Sequence, residues 1–168
     1  DGGLRGAANP DGIPDDHMAM LKWEFLPLNR RDATNPLGDW NMVFVPYCTG
    51  DLHTGNRDAT YDNPEPGGEP LVFRHRGHEN VMRLIEWLRL MFPNVPRLLV
   101  TGCSAGGTGS LVNYYFFGEG FPGAQCSYLL DDSGPIFPSA GHSGPLHSKV
   151  REAWDLDPLI EEVSADFP

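Results

Sequence analysis

Residues 97–117 read RLLVTGCSAGGTGSLVNYYFF, from Arg97 to Phe117. Arg97 to Thr101 is a short apolar strand, and the glycine-rich run Gly102-Cys103-Ser104-Ala105-Gly106-Gly107 follows at once. Residues 107–117 then read as a largely buried helix that starts at the glycines. A strand that turns sharply into a helix is the unit from which layered α/β folds are built.

The flanking sequence repeats that unit. Upstream, residues 79–92 carry Val81, Leu84, Ile85, Leu88, Met91 and Phe92 at helical spacing, with Arg83, Glu86 and Arg89 on the other face and Pro93 as the stop. Before this helix, residues 48–70 are rich in Gly and Pro and read as one long loop, of a length that is often functional. Residues 40–47, WNMVFVPY, read as a strand buried on both faces, because Met42 to Val45 are apolar without alternation. Downstream, residues 126–132 (CSYLLDD) read as a third strand ended by Ser-Gly-Pro, and a last helix is expected from about Pro145 to Trp154. Residues 1–39 form a loop-rich lead-in broken by Pro10, Pro14, Pro27 and Pro36, with room for a short helix at His17–Phe25. The order β, α, β, α, β, α predicts an α/β fold with a mostly parallel sheet and helices on both faces, over a single domain with its core in residues 40–168.

Composition bounds the function. Apolar residues are 40% and charged residues 21% of 168, enough to bury a core and unlike a disordered chain. The net charge of −11 argues against nucleic-acid binding, which needs a basic face. No apolar run approaches the ~20 residues of a membrane span, and DGGLRGAANP at the start lacks the apolar core of a signal peptide. Cys48, Cys103 and Cys126 form no Cys-x-x-Cys pair, so zinc and thioredoxin-like readings have little support, and their disulfide state stays open.

Gly102-Cys103-Ser104-Ala105-Gly106 fits Gly-x-Ser-x-Gly. Alone the pentapeptide is a weak signal, and an incidental serine in a glycine-rich turn is the bland alternative. The strand before it and the helix after it make it a nucleophile elbow. Glycines at 102 and 106 would let neighbouring backbone approach closely. Ser104 would stand at the C-terminal edge of the sheet, where open α/β sheets place their sites. The N–H of Ala105 and the helix N-terminus would face a developing oxyanion.

A serine nucleophile needs a histidine base and an orienting acid. Within the chain the candidates are Asp131 or Asp132, followed by His142 or His147, although both acids also suit a role in capping the next turn. Tyr47, Asp51, His53 and Gly106 are the pocket candidates, at the C-terminal end of the first strand and beside the elbow. Trp40 is expected in the core, and His75 and His78 are expected to bond locally. Asp51, His53, Asp58, Asp62 and Asn63 crowd one loop, but their spacing is not that of a calcium loop, so no metal and no cofactor is expected. The acidic stretch from Glu152 to Asp166 reads as a solvated helix face.

Several of these residues resemble one family in order along the chain. Asp39-Trp40-Asn41, Val45-Pro46-Tyr47-Cys48-Thr49-Gly50-Asp51 with Gly55, Phe73, His75, Gly77 and Asn80, Thr101 to Gly107, and Asp132-Ser133-Gly134 together resemble the pectin acetylesterase family, with details closest to bacterial members. The resemblance runs from about residue 35 to residue 160. It implies a three-layer α/β-hydrolase fold, of which this chain would hold a part, and carboxylesterase chemistry with Ser104 as nucleophile and Ala105 as an oxyanion donor. It also implies further oxyanion donors on an earlier strand and a catalytic Asp and His downstream of Asp132-Ser133-Gly134. On that view the chain is an internal fragment, inactive alone, and Asp131, Asp132, His142 and His147 have structural or pocket roles. The resemblance further suggests a secreted or periplasmic enzyme. The expected substrate is an acylated glycan or another small ester. A Notum-like lipid deacylase and a non-catalytic carbohydrate-binding pseudoenzyme are the competing readings.

Overall fold

A computed structural model describes residues 32–132 and 144–166. The helix expected at His17–Phe25, the triad candidate His142 and the Ser133-Gly134 turn lie outside them. The elements are β1 (Arg57–Tyr61), β2 (Leu71–His75), α1 (Gly77–Met91), β3 (Arg97–Cys103), α2 (Ala105–Gly120), β4 (Cys126–Asp132), α3 (Gly144–Trp154) and α4 (Asp157–Ala165).

The strand–turn–helix unit is built as its sequence predicts, with the strand running two residues further, to Cys103, and the helix longer at both ends. β3 and β4 pair in parallel, from Arg97 opposite Cys126 to Cys103 opposite Asp132, with α2 as the crossover between them. α1 buries Gly77, Val81, Ile85 and Leu88, an i, i+4, i+8, i+11 stripe. That stripe meets Phe116 and Phe121 in the core, and Leu98, Leu159 and Val163 pack around them. Met91, placed on the stripe by its spacing, is instead 56% exposed. α1 closes as the Phe92 N–H bonds the Leu88 carbonyl at 2.8 Å, one residue before Pro93.

Two expectations are corrected. Residues 40–47 form no strand. Val43, Phe44 and Val45 are 45%, 43% and 38% exposed, so the double cover that an unalternating strand requires is not supplied by the described residues. Trp40 is held instead by the Arg97 guanidinium, 4.8 Å above its ring. The long loop at 48–70 contains β1, which pairs antiparallel with β2 from Arg57 opposite His75 to Tyr61 opposite Leu71. Among the described residues the sheet content is therefore one parallel and one antiparallel pair.

α3 packs beside this hairpin. The Asn56 N–H bonds the Trp154 carbonyl at 2.9 Å, and Arg57 Nη1 donates to the Glu152 carbonyl at 3.0 Å. α3 spans the helix expected at Pro145–Trp154, and α4 opens with Asp157-Pro158 within the acidic stretch. No helix among the described residues is long and apolar enough to cross a membrane.

Candidate active site

The turn between β3 and α2 consists of Ser104 alone, at φ 55° and ψ −120°. For a residue with a side chain this is a sparsely populated conformation that costs on the order of 1–3 kcal/mol, and it persists only where the surroundings over-determine it. Gly102 shows how. A Cβ there would lie 2.2 Å from both the carbonyl carbon and the oxygen of Gly106. A Cβ on Gly106 meets nothing within 4 Å among the described residues, so the close approach rests on Gly102 alone. The Ser104 carbonyl accepts the Thr108 N–H at 3.1 Å, while its side chain makes no capping bond. The exposed serine hydroxyl is thus not spent on closing the helix. Ala105 is the first helical residue, its N–H is one of the orphan donors of a helix start, and no acid occupies that first turn.

The loop Tyr47–Gly55 is built around one carboxylate. Asp51 is fully buried. Its Oδ1 accepts the Thr49 hydroxyl at 2.5 Å and the His53 N–H at 3.0 Å; its Oδ2 accepts the N–H groups of Gly55 at 3.1 Å and Gly77 at 2.8 Å. The last of these ties the loop to the start of α1. Asp51, a pocket candidate from the sequence, therefore turns inward as the loop's acceptor and presents no surface to a substrate. Around it Leu52 and His53 both take positive φ, 54° and 61°. The Leu52 N–H is satisfied by the Tyr47 hydroxyl at 3.0 Å.

His53 lies between two helices. A Cβ on Gly77 would fall 2.5 Å from its Cα, and one on Gly109 would fall 2.6 Å from its ring Cδ2. Its ring centroid is 5.0 Å from that of Tyr47. Burial pushes the imidazole below its ordinary range, partly opposed by the charge of Asp51. Burial likewise raises the Tyr47 hydroxyl and the Cys48 thiol. Asn113, 2% exposed, reaches across from α2: its Nδ2 donates to the His53 carbonyl at 3.0 Å and to the Gly109 carbonyl at 2.9 Å. No local pattern in the sequence singles out Asn113; its visible hint is Gly109, a glycine inside a helix.

The remaining candidates separate. Register places the backbone of Asp131 and Asp132 beside Gly102 and Cys103, and His147 lies half-buried on α3. His75 does not bond locally: its Nδ1 bonds the Thr49 carbonyl at 3.0 Å and its Nε2 the Tyr61 hydroxyl at 2.9 Å. His78 sits in the first turn of α1 against Phe116, and its Nδ1 has no hydrogen-bond partner among the described residues. Asp58 pairs with Arg76 at 2.9 Å, and Asn63 accepts the Glu65 N–H within its own turn. Among the described residues no three His, Cys, Asp or Glu side chains gather as metal ligands, and Cys48, Cys103 and Cys126 are free thiols. Two open clefts, of about 440 and 660 Å³, are lined from Arg57 and α3 and from the Phe92–Pro96 and Gly120–Gln125 turns, and neither includes Ser104.

Comparison with known proteins finds relatives over much of the chain. The profile of the pectinacetylesterase family matches residues 20–155. Pectin acetylesterase 4 of Arabidopsis thaliana is 31% identical over 101 residues, which are 58% of this chain and 23% of that protein. Pectin acetylesterase 5 of the same plant is 29% identical over 96 residues, 57% of this chain and 21% of that protein. The human palmitoleoyl-protein carboxylesterase NOTUM is 31% identical over 96 residues, 54% of this chain and 18% of that protein. The chain thus spans about a fifth of the length of these relatives. No solved structure matches.

Proposed function

The chain belongs to the pectinacetylesterase family, and from that premise we propose that it carries the nucleophile of a serine carboxylesterase that removes acetyl or another small acyl group from a hydroxylated polymer or glycan. The observation that carries this reading is Ser104, strained at φ 55° and ψ −120° between β3 and α2, with its hydroxyl free of capping. The Ser104 Oγ attacks the acyl carbonyl as a histidine, oriented by an acid, takes its proton. The family resemblance puts both partners downstream of Asp132-Ser133-Gly134. The tetrahedral oxyanion is met by the Ala105 N–H at the positive end of α2, a type of donor worth ~10²–10³ in rate. The histidine returns the proton to the leaving sugar oxygen, and water then cleaves the acyl-enzyme by the same steps. Tyr47 and His53, on the loop pinned to α2, are the candidate pocket wall, and Gly106 supplies open space next to the nucleophile. The surrounding domain is read as a partial three-layer α/β-hydrolase fold. A net charge of −11 disfavours a heavily demethylated, polyanionic pectin.

Fluorophosphonate labelling of the full-length protein at Ser104, with p-nitrophenyl acetate hydrolysis that is lost in Ser104→Ala, is the expected result. Hydrolysis that survives the substitution, or an unlabelled Ser104, would sink the proposal and leave a non-catalytic glycan-binding domain. The similarity to human NOTUM supports a second reading, a lipid deacylase with the same chemistry. Faster turnover of octanoate than acetate esters would favour it.

A further inference from the structure

We propose that Asn113 is a positioning residue for the nucleophile, acting through the Asp51–Gly55 loop to hold α2, and with it Ser104, in register with the pocket wall. The inference rests on the esterase reading and deepens it. The Asn113 amide spends both its donors on carbonyls of two different segments, His53 and Gly109. Its own Oδ1 is buried with no partner among the described residues, so there only the donors account for a polar side chain at this 2% exposed position. The contact it closes is a tight one. His53 enters a slot left open by the missing side chains of Gly77 and Gly109. Asp51 fixes the other end of the same loop to α1 through the Gly77 N–H. Gly109 is five residues after Ser104, about 7.5 Å along the helix axis. A shift of α2 against this loop would therefore move Ser104 relative to Tyr47 and His53, and an error of about 1 Å in such a placement costs on the order of 10²-fold in rate.

The test is the second-order rate constant for fluorophosphonate labelling of Ser104 in the full-length protein, with kcat and KM for p-nitrophenyl acetate beside it. Asn113→Asp is nearly isosteric but sets a carboxylate against two carbonyl oxygens. At neutral pH, labelling and kcat should fall about tenfold or more, with KM within about twofold. As pH is lowered the buried carboxyl takes up a proton and regains a donor, so the ratio of variant to wild type should rise. Gly109→Ala disturbs the same contact from the other side, by a Cβ 2.6 Å from His53 Cδ2, and should lower kcat without that recovery. Thermal melts establish that the variants compared are folded. Wild-type rates in folded Asn113→Asp, or a loss insensitive to pH, overturn the proposal. So does failure of both variants to fold, which assigns the contact to folding alone. An unlabelled wild-type Ser104 sinks the esterase reading itself, and is seen before any Asn113 variant is made.

Discussion

Gly102 and Gly106 look equivalent in the motif, yet they meet different surroundings. The backbone at Gly102 runs so close to Gly106 that a methyl group would lie 2.2 Å from main-chain atoms, which cannot rotate away as a side chain can. Gly102→Ala should therefore destabilise the protein by about 1–3 kcal/mol and, on the proposed esterase reading, lower turnover by about a hundredfold or more, because the elbow must open to admit the methyl. Gly106→Ala places its methyl in open space within the first turn of α2, where alanine is the better helix former. Its stability should stay within about 0.5 kcal/mol of wild type or rise. Urea unfolding of the two variants checks the contrast, and equal destabilisation would refute the asymmetry. The Gly-x-Ser-x-Gly spacing made the elbow legible in the sequence. It could not tell which glycine is needed, since that depends on which backbone passes nearby. Asp51 and Asn113 were less legible still. Asp51 bonds a glycine 26 residues away and Asn113 a carbonyl 60 residues away, so no local pattern announces either role.

Elements with a strong local period were read correctly, and those defined by partners were not. α1 carries its apolar stripe in its own sequence, and β4 is a short apolar run bounded by turn residues, so both ranges were visible. β1, Arg57-Asp58-Ala59-Thr60-Tyr61, buries only Ala59 and offers no alternation to detect. Its pairing with β2 makes it a strand. Conversely, residues 40–47 have strand composition without a ladder among the described residues. The packing of α1 on α2 gives a prediction at this scale. A Cβ on Gly120 would lie 2.3 Å from Ile85 Cγ2, and Ile85 is 3% exposed. Gly120→Ala should cost about 1–3 kcal/mol, and Ile85→Ala about 2–5 kcal/mol. In the double variant the new methyl enters the space the isoleucine vacates. The summed loss should therefore shrink by about 1 kcal/mol or more, a coupling measurable by a double-mutant cycle in urea. Strict additivity would show that the two helices do not meet there.

At the scale of the molecule, stability should depend on pH through two histidines held neutral at helix junctions. His53 lies between the starts of α1 and α2, and His78 lies in the first turn of α1 against Phe116. Burial lowers both below the ordinary imidazole range, opposed in part by Asp51 for the first and Glu162 for the second. A group whose folded value is depressed takes up its proton more readily when unfolded, so the unfolded chain binds more protons as pH falls. The stability that the neutral rings contribute is therefore present above about pH 6.5 and is lost as pH drops below it. Carboxylates add their own dependence at lower pH, which makes the difference between proteins the informative quantity. His53→Gln with His78→Phe should be less stable than wild type at pH 7.5, and its stability should fall less steeply between pH 7 and 5.5. Urea midpoints at four or five pH values measure both slopes. Parallel slopes would show that these rings titrate as freely in the folded protein as in the unfolded chain, and that the two junctions admit water.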